Sequence, residues 1–298
     1  MKAEVAIPCY NEEQTVAKVI RDFRTALPDA EIVVYDNASD DRTADVARQA
    51  GARVVRVNRR GKGYVLQAVF ELSAADVLVI VDGDDTYEAA DVLALTAPIL
   101  ADQADMTIGT RLHTTGSEFR RLHHFGNRAL TLVLNAMFGT AHTDILSGYR
   151  AFSRQFRQTV PLIGTGFEIE TELMIQALSS GMVVREVPIR FRQRPPGSTS
   201  KLSSFRDGYR ILLAMVVLLR DHRPLFTFSL AGTACFILGG SLWLFAVLTQ
   251  RTGGPFSVQA AGVVFMQLAA GLVLGGFILN TINTRMRELG SLLRRRRS

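Results

Sequence analysis

The sequence has little cysteine: among 298 residues only Cys9 and Cys235 occur. The first follows a predicted strand and the second lies inside a long apolar segment, so we do not expect them to pair. The lack of a disulfide framework favours a reducing compartment. The N-terminal residues also lack the apolar core of a signal peptide, which predicts that the first part of the chain stays where it is synthesised.

Several motifs of nucleotide and metal chemistry are missing as well. The chain has no GxGxxG, so a dinucleotide-binding fold has no support, and the GKG at 61–63 lacks the spacing and the Ser or Thr of a P-loop. Its five histidines show no HExxH spacing, and we interpret them as structural or surface residues. The net charge is +6, but no basic stripe is interleaved with aromatic residues, so nucleic acid is not expected as a partner.

Charged residues are absent from 225–250 and again from 252–284. The helices predicted there, about 225–249 and 258–282, are long enough at ~1.5 Å per residue to cross a hydrocarbon core of ~30 Å. Arginines crowd both flanks of this pair, and by the positive-inside rule both flanks face the cytoplasm. We therefore predict a multi-pass protein of the cell inner membrane or plasma membrane, whose N-terminal domain and both termini are cytoplasmic.

The residues before these apolar segments alternate short apolar runs with helical patterns. Strands are predicted at 4–7, 31–35, 53–57, 77–81, 105–108 and 183–191, and helices beyond Gly109 at 120–138 and 166–180. Repeated βα units predict an α/β fold that is Rossmann-like, with a mostly parallel sheet and helices on both faces. The predicted organisation is a first domain over 1–202, an amphipathic interfacial helix over 203–223, two transmembrane helices over 224–284 and a basic tail over 285–298.

The strongest local signal follows the strand predicted at 77–81, where Asp82, Asp84 and Asp85 lie close together. Ligands of parallel sheets bind beyond the carboxyl ends of the strands. Because like charges repel, a cation is expected among these carboxylates, and a divalent ion that carries phosphate oxygens fits their chemistry. A solvated acidic turn or a helix cap is the alternative, above all for Asp85.

Three more polar turns follow predicted strands, at 8–13, 36–43 and 58–63. The turn at 8–13 alone is also typical of an ordinary capping turn, and the GKG at 61–63 alone is a weak signal. Asp36 stands where a strand ends and can accept hydrogen bonds from a base or a ribose, and Lys62 lies between two glycines and can reach a phosphate or a base. Glu168, Glu170 and Glu172 surround a predicted helix start, where the helix dipole favours carboxylates; a sugar-facing Glu168 or Glu170 is the alternative.

Taken in order, the PxYNE, DNASDDRT, GKG and DGDD motifs resemble those of the GT-A glycosyltransferases, in the large inverting family that uses nucleotide sugars. The later segments IGTR (108–111), DILSGYR (144–150) and RPPGSTSKL (194–202) are similar to the polyprenyl-phosphate glycosyltransferases. The resemblance covers about residues 3–220, and the two apolar segments match the membrane-anchored members. The QxxRW pattern of processive polysaccharide synthases is absent, which argues against chain polymerisation.

The resemblance implies a set of site residues. It assigns the nucleotide sugar to Pro8, Tyr10, Asn11, Glu12, Asp36, Lys62, Asp82 and Lys201. It assigns the acceptor phosphate to Arg111, Arg121, Asn127 and Ser147. It assigns a divalent cofactor, Mg²⁺ or Mn²⁺, to Asp82 and Asp84, and a catalytic role to these two and Arg111. Some mannose synthases carry Gln where this chain has Thr86, so the third metal ligand stays open.

The implied activity is the transfer of one sugar from a UDP- or GDP-sugar to a polyprenyl phosphate, such as undecaprenyl or dolichyl phosphate, at the cytoplasmic membrane face. A lipid phosphate is already an anionic nucleophile, so the site needs cations to position it and a metal to help the diphosphate leave, but no strong general base. Another lipid acceptor, such as diacylglycerol or a lipid-linked glycan, and a non-catalytic membrane scaffold are the alternatives. A hydroxyl acceptor would require a general base. The expected partners are the nucleotide sugar, the polyprenyl phosphate and the membrane, and a homo-oligomer is left open.

Overall fold

The structure of the protein is a computed structural model. It describes residues 1–112, 118–166, 168–195, 213, 216–217, 219–221, 223–249 and 257–295, without the side chains of 112–125 and 287–295. The contacts divide the chain into two units, Met1–Met215 and Val216–Ser298, and each is described by itself. Lys201 and most of the interfacial helix predicted over 203–223 lie outside the described residues.

The first unit contains a seven-stranded sheet. Its strands are β1 (Ala3–Cys9), β2 (Glu31–Asp36), β3 (Arg53–Arg56), β4 (Val77–Ile80), β5 (Met106–Leu112), β6 (Arg150–Ser153) and β7 (Val184–Arg190). They lie in the order β3-β2-β1-β4-β6-β5-β7. Among these strands, β6 runs antiparallel to both of its neighbours, and the other pairs are parallel. The predicted α/β fold with a mostly parallel sheet is confirmed.

Helices connect these strands in the pattern of repeated βα units. They are α1 (Val16–Ala26), α2 (Thr43–Gln49), α3 (Lys62–Leu72), α4 (Val92–Leu100), α5 (Glu118–Phe138), α6 (Arg154–Thr159) and α7 (Ile169–Ser179). In α1 the buried residues Val16, Val19, Ile20 and Phe23 recur at helical spacing, so one face of this helix packs on the sheet. This spacing is the helical pattern that follows the first predicted strand in the sequence.

The centre of the sheet is buried on both faces. All four residues of β4 are buried, and this strand reads as a continuous aliphatic run because helices cover it from both sides. Strands β2, β1 and β4 are parallel neighbours. Their carboxyl ends therefore lie at one edge of the sheet, and the polar turns that follow them meet there.

The sequence patterns did not predict β6. This strand has four residues and three of them are buried, so it shows neither a long apolar run nor an alternation. Its first residue, Arg150, pairs with Ile80 at the end of β4. Because β6 is reversed, the segment that precedes it, rather than the one that follows, lies at the edge where the polar turns meet.

The second unit contains two long helices, α8 (Pro224–Leu248) and α9 (Val258–Arg295). Two segments, Pro224–Leu248 and Val258–Met286, are long and apolar enough to cross a membrane by length and composition. The helices pack closely: a Cβ atom at Gly239 would lie 2.7 Å from the Gly262 carbonyl oxygen, and a Cβ at Gly262 equally close to the Gly239 carbonyl. Small residues allow this approach in membrane helix pairs. The membrane insertion and the domain boundaries stay predictions.

Candidate active site

Four turns at the carboxyl edge of the sheet share an unusual backbone conformation. Each contains a residue with positive φ: Asn11 at 53°, Ala38 at 54°, Gly61 at 139° and Asp85 at 58°. Residues other than glycine rarely adopt this region, and such strain is concentrated at functional sites. In the described part of the chain, three of the four non-glycine residues with positive φ lie in these turns, and the fourth is Asp102.

The first two turns are joined by hydrogen bonds. The amide of Asn11 donates to Ser39 Oγ at 3.0 Å, and the amide of Asp40 donates to Asn11 Oδ1 at 2.8 Å. The amide of Glu12 donates to Thr43 Oγ1 at 2.8 Å. The turns after β1 and β2 therefore form one rigid unit, in which the Asn11 side chain links the two backbones.

An aromatic ring and a guanidinium form a surface over this unit. The Arg60 guanidinium lies 5.1 Å from the centre of the Tyr10 ring, and its Nη2 atom contacts Asp40 Oδ2 at 2.6 Å. Asn37 holds the GKG turn beside them, since it accepts from the Gly61 amide at 2.7 Å and donates to the Arg59 carbonyl at 2.6 Å. A base can stack on such an aromatic and cationic surface. Pro8 and Asp36 lie buried near the ends of β1 and β2.

The carboxylates after β4 are paired with cations, and we call this group the Asp82 cluster (Asp82, Asp84, Lys62, Glu170 and Arg194). Lys62 Nζ lies 2.6 Å from both Asp82 Oδ1 and Glu170 Oε1. Burial by itself lowers the pKa of Lys62, but the charges of these two carboxylates outweigh it, and the pKa is raised overall. Lys62 therefore stays a cation.

Asp84 is held on both sides. Its Oδ1 atom accepts from the Thr86 hydroxyl at 2.6 Å, and its Oδ2 atom lies 2.5 Å from Arg194 Nη2. Burial and the neighbouring Asp82 raise the pKa of Asp84, and Arg194 acts in the opposite direction. Thr86, the position left open as a metal ligand, here fixes the rotamer of Asp84. Each of the two aspartates is thus paired with one cationic side chain, Asp82 with Lys62 and Asp84 with Arg194.

A second group lies at the end of β5, and we call it the Arg111 cluster (Arg111, Asp144 and Asn127). Arg111 donates to Asp144 through Nε at 2.7 Å and through Nη2 at 2.8 Å. Asn127 Nδ2 donates to the same carboxylate at 2.9 Å. Burial raises the pKa of Asp144, but these donors, Arg111 first, outweigh it and the pKa lies below its usual value. Asp144 is therefore a fixed anion that orients the guanidinium.

Tyr87 and the 147–148 segment lie between the two clusters. The Gly148 amide donates to the Tyr87 hydroxyl at 3.0 Å, and the Ser147 side chain also hydrogen-bonds to this phenol. A Cβ atom at Gly148 would lie 2.4 Å from Asp82 Oδ2, so a larger residue there would displace the Asp82 carboxylate. Burial raises the pKa of Tyr87 to about 12, and the phenol stays protonated at neutral pH. The two clusters therefore belong to one site.

The structure brings most of the sequence-predicted site residues to this edge. Asp82, Asp84 and Lys62 share one cluster, Arg111 and Asn127 share the other, and Ser147 lies between them. Arg121 lies on α5, but its side chain is outside the described part of the chain. Lys201 is outside the described residues altogether. None of these placements assigns a role, so the roles stay predictions.

Sequence reasoning missed four residues of the site: Tyr87, Asp144, Glu170 in its contact with Lys62, and Arg194. Asp144 and Arg194 stand inside the matched DILSGYR and RPPGSTSKL segments, so a signal for them existed. Glu170 comes from the first turn of α7, and nothing in the sequence pairs it with Lys62. Arg150, in contrast, is buried and donates to the carbonyls of Ser147 and Ile145, which is a structural role.

Comparisons with known proteins agree with this geometry. Residues 4–160 match the family described as Glycosyl transferase family 2, and the chain belongs to that family. It is 34% identical to glycosyltransferase AglJ of Haloferax volcanii over 97% of each chain. It is also 31% identical to the dolichyl-phosphate hexose transferase of the same organism, over 74% of this chain and 94% of that protein. The protein is thus a glycosyltransferase.

The fold has solved counterparts. The glucosyl-3-phosphoglycerate synthase of Mycobacterium tuberculosis, solved with Mn²⁺, UDP and glucosyl-3-phosphoglycerate, superposes with a TM-score of 0.62 at 23% identity. The match covers 73% of this chain and 79% of that one. The likeness supports the GT-A architecture of the first unit.

Proposed function

We propose that this glycosyltransferase moves one sugar from a UDP- or GDP-sugar to a polyprenyl phosphate, with inversion at the anomeric carbon. A phosphate oxygen of the lipid attacks the anomeric carbon, the bond from that carbon to the diphosphate breaks, and the nucleoside diphosphate leaves. The observation that carries the proposal is the position of the Arg111 cluster against the Asp82 cluster, with Gly148 and Tyr87 between them. A relative named dolichyl-phosphate hexose transferase supports the same acceptor class.

The Arg111 cluster suits an acceptor that is already ionised. Its carboxylate, Asp144, has a lowered pKa and two bonds to Arg111, so it is a poor proton acceptor. A hydroxyl acceptor would need a general base near this point. An anionic phosphate needs a fixed guanidinium, which can bind two oxygens at once. We therefore favour the phosphate over the lipid hydroxyl as the nucleophile.

The Asp82 cluster fits a divalent ion. Carboxylate oxygens of Asp82 and Asp84 are hard ligands, and Mg²⁺ typically uses one or two of them plus substrate phosphates. Within the described part of the chain, no third acidic, His or Cys ligand completes a metal-binding group with them. A bound ion, Mg²⁺ or Mn²⁺, would neutralise charge on the leaving diphosphate. Lys62 and Arg194 would add positive charge beside the same diphosphate.

The remaining assignments are part of the proposal. The surface formed by Tyr10 and Arg60, together with Asp36, would hold the nucleoside. The two long apolar helices would span the cytoplasmic membrane of the cell and keep the catalytic domain on the cytoplasmic side, where the nucleotide sugar is found. The organisation is then a catalytic domain over 1–202, an interfacial helix over 203–223, membrane helices over 224–284 and a basic tail over 285–298.

A substrate panel tests the proposal. Membranes that contain the full-length protein are given labelled UDP- and GDP-hexoses with undecaprenyl phosphate, dolichyl phosphate or the dephosphorylated alcohol. We expect product with one nucleotide sugar and a polyprenyl phosphate, loss of product with chelator, and recovery with Mg²⁺ or Mn²⁺. Equal use of the alcohol would refute the acceptor assignment, and activity that is indifferent to chelator would refute the metal.

A further inference from the structure

Glu170 makes a contact that neither the family motifs nor the proposed reaction requires. Its carboxylate, 7% exposed, lies 2.6 Å from the Lys62 ammonium, which is 12% exposed and equally close to Asp82. Among the described residues, the second oxygen of Glu170, Oε2, has no hydrogen-bond partner. Lys62 is thus the cation that forms an ion pair with this carboxylate, whose charge also acts on the buried Arg150 guanidinium.

The geometry makes Lys62 a shared partner of two carboxylates with different surroundings. Asp82 is 27% exposed and follows β4 at the ligand edge, whereas Glu170 lies behind the ammonium on α7. The space beside Lys62 and Glu170 is a cavity of about 10 Å³, which is on the scale of one water molecule. No phosphate fits there, so a ligand approaches the ammonium from the side of Asp82.

Binding of a divalent ion to Asp82 would compete with Lys62 for the same oxygens. If Asp82 were the only carboxylate beside Lys62, the loss of that contact would leave a buried ammonium without an opposite charge, which is strongly unfavourable. With Glu170 present, Lys62 keeps an opposite charge and keeps its position. Without Glu170, the ammonium would hold Asp82 more tightly and would repel the incoming ion.

We propose that Glu170 is a positioning residue of the donor site. Glu170 would hold the Lys62 ammonium in place when Asp82 binds a divalent ion. This inference rests on the proposed function, since it requires an ion at Asp82. The ammonium then stays beside the departing diphosphate instead of blocking the carboxylate. A purely structural pair, which only ties α3 to α7, is the competing explanation.

The chain offers a matched control on the same helix. Glu172 is also buried, but its oxygens accept from the amides of Ile163 and Gly164 at 2.7 and 2.6 Å. It shapes a loop and does not contact Lys62 or Asp82 through any bond of the described residues. Glu172→Gln therefore reports what the loss of a buried α7 carboxylate does to folding alone.

The test measures Mn²⁺ affinity by electron paramagnetic resonance on the purified full-length protein in detergent, without donor. The variants are Glu170→Gln, Lys62→Met, the double variant and Glu172→Gln. We expect Glu170→Gln to weaken Mn²⁺ binding about tenfold, the scale of one unpaired charge nearby. The double variant, which restores the net charge, should return to within about twofold of wild type, as should Glu172→Gln.

Each outcome decides the matter. If Glu170→Gln binds Mn²⁺ like Glu172→Gln, or if the double variant is as weak as Glu170→Gln, the positioning role is wrong while the proposed function stands. If the wild type binds no Mn²⁺, the inference and the metal assignment both fail. In the assay, Glu170→Gln should raise KM for the nucleotide sugar and leave KM for the lipid unchanged, a split that misfolding would not produce.

Discussion

The Asp82 and Arg111 clusters are built with opposite charge arrangements. In the first, the carboxylates that we propose as ligands of the metal ion are each held by a cation, Lys62 or Arg194. In the second, the cation that we propose binds the acceptor phosphate, Arg111, is held by a carboxylate. A ligand of the first cluster must therefore replace existing ion pairs, whereas a ligand of the second joins a guanidinium that is already fixed. Changes to the first should alter ion binding, and changes to the second should alter the orientation of the acceptor.

The largest expected effect tests the Asp82 cluster. Asp84→Asn keeps the shape of the side chain but removes a charge from the proposed metal site, and we expect kcat to fall about 10³-fold. The measurement is single-turnover transfer at saturating donor. Asp85→Asn is the control, because Asp85 pairs with Lys18 at 2.8 Å and is not a member of the Asp82 cluster. Comparable losses in both variants would contradict the separate role of Asp84.

The next effect tests the Arg111 cluster. Asp144→Asn removes the carboxylate that fixes Arg111, and we expect KM for the lipid phosphate to rise about tenfold with KM for the donor unchanged, the scale of losing one charge-assisted contact. Steady-state kinetics with each substrate varied in turn gives both constants. If kcat instead falls by about 10²–10⁴ with a new pH dependence, Asp144 is a general base and the acceptor is a hydroxyl.

Stability against pH gives a smaller effect. The pKa of Asp144 is lowered in the folded protein, so the pair with Arg111 stabilises the fold above the unfolded pKa and loses that contribution as pH falls through the folded one. At neutral pH we expect Asp144→Asn to be less stable by about 2 kcal/mol.

Denaturant unfolding is measured for wild type and Asp144→Asn from about pH 7 to about pH 3. The difference between their free energies of unfolding should shrink below about pH 4. Asp76→Asn is the reference, since Asp76 is partly exposed and its pKa is lowered mainly by the amide of Lys2. A difference that stays constant with pH would show that the loss comes from packing and not from the ion pair.

The smallest effect concerns the backbone on the nucleotide side. Ala38 adopts a positive φ of 54°, which is unfavourable for any residue with a Cβ atom. Ala38→Gly should raise the free energy of unfolding by about 0.5 kcal/mol, and Ala38→Val should lower it by more than that. Equilibrium denaturation of both variants would reveal a wrong sign for either one.

The two clusters also differ in how far the sequence could predict them. The turns after β1, β2 and β4 were found because each follows a buried parallel strand, and parallel strands end at one edge. The Asp144–Gly148 segment was harder to interpret because it precedes β6, a short reversed strand with no readable periodicity. Glu170 reaches Lys62 across more than a hundred residues of chain, and no local pattern encodes such a contact.

The hydrogen bonds that join the turns after β1 and β2 have a consequence for the dynamics of the protein. Because Asn11 and Glu12 each bond across to the neighbouring turn, neither turn can unfold locally while the other stays intact. Their amides should therefore exchange with solvent deuterium as a single group. A nucleoside that touches one turn would slow the exchange of both.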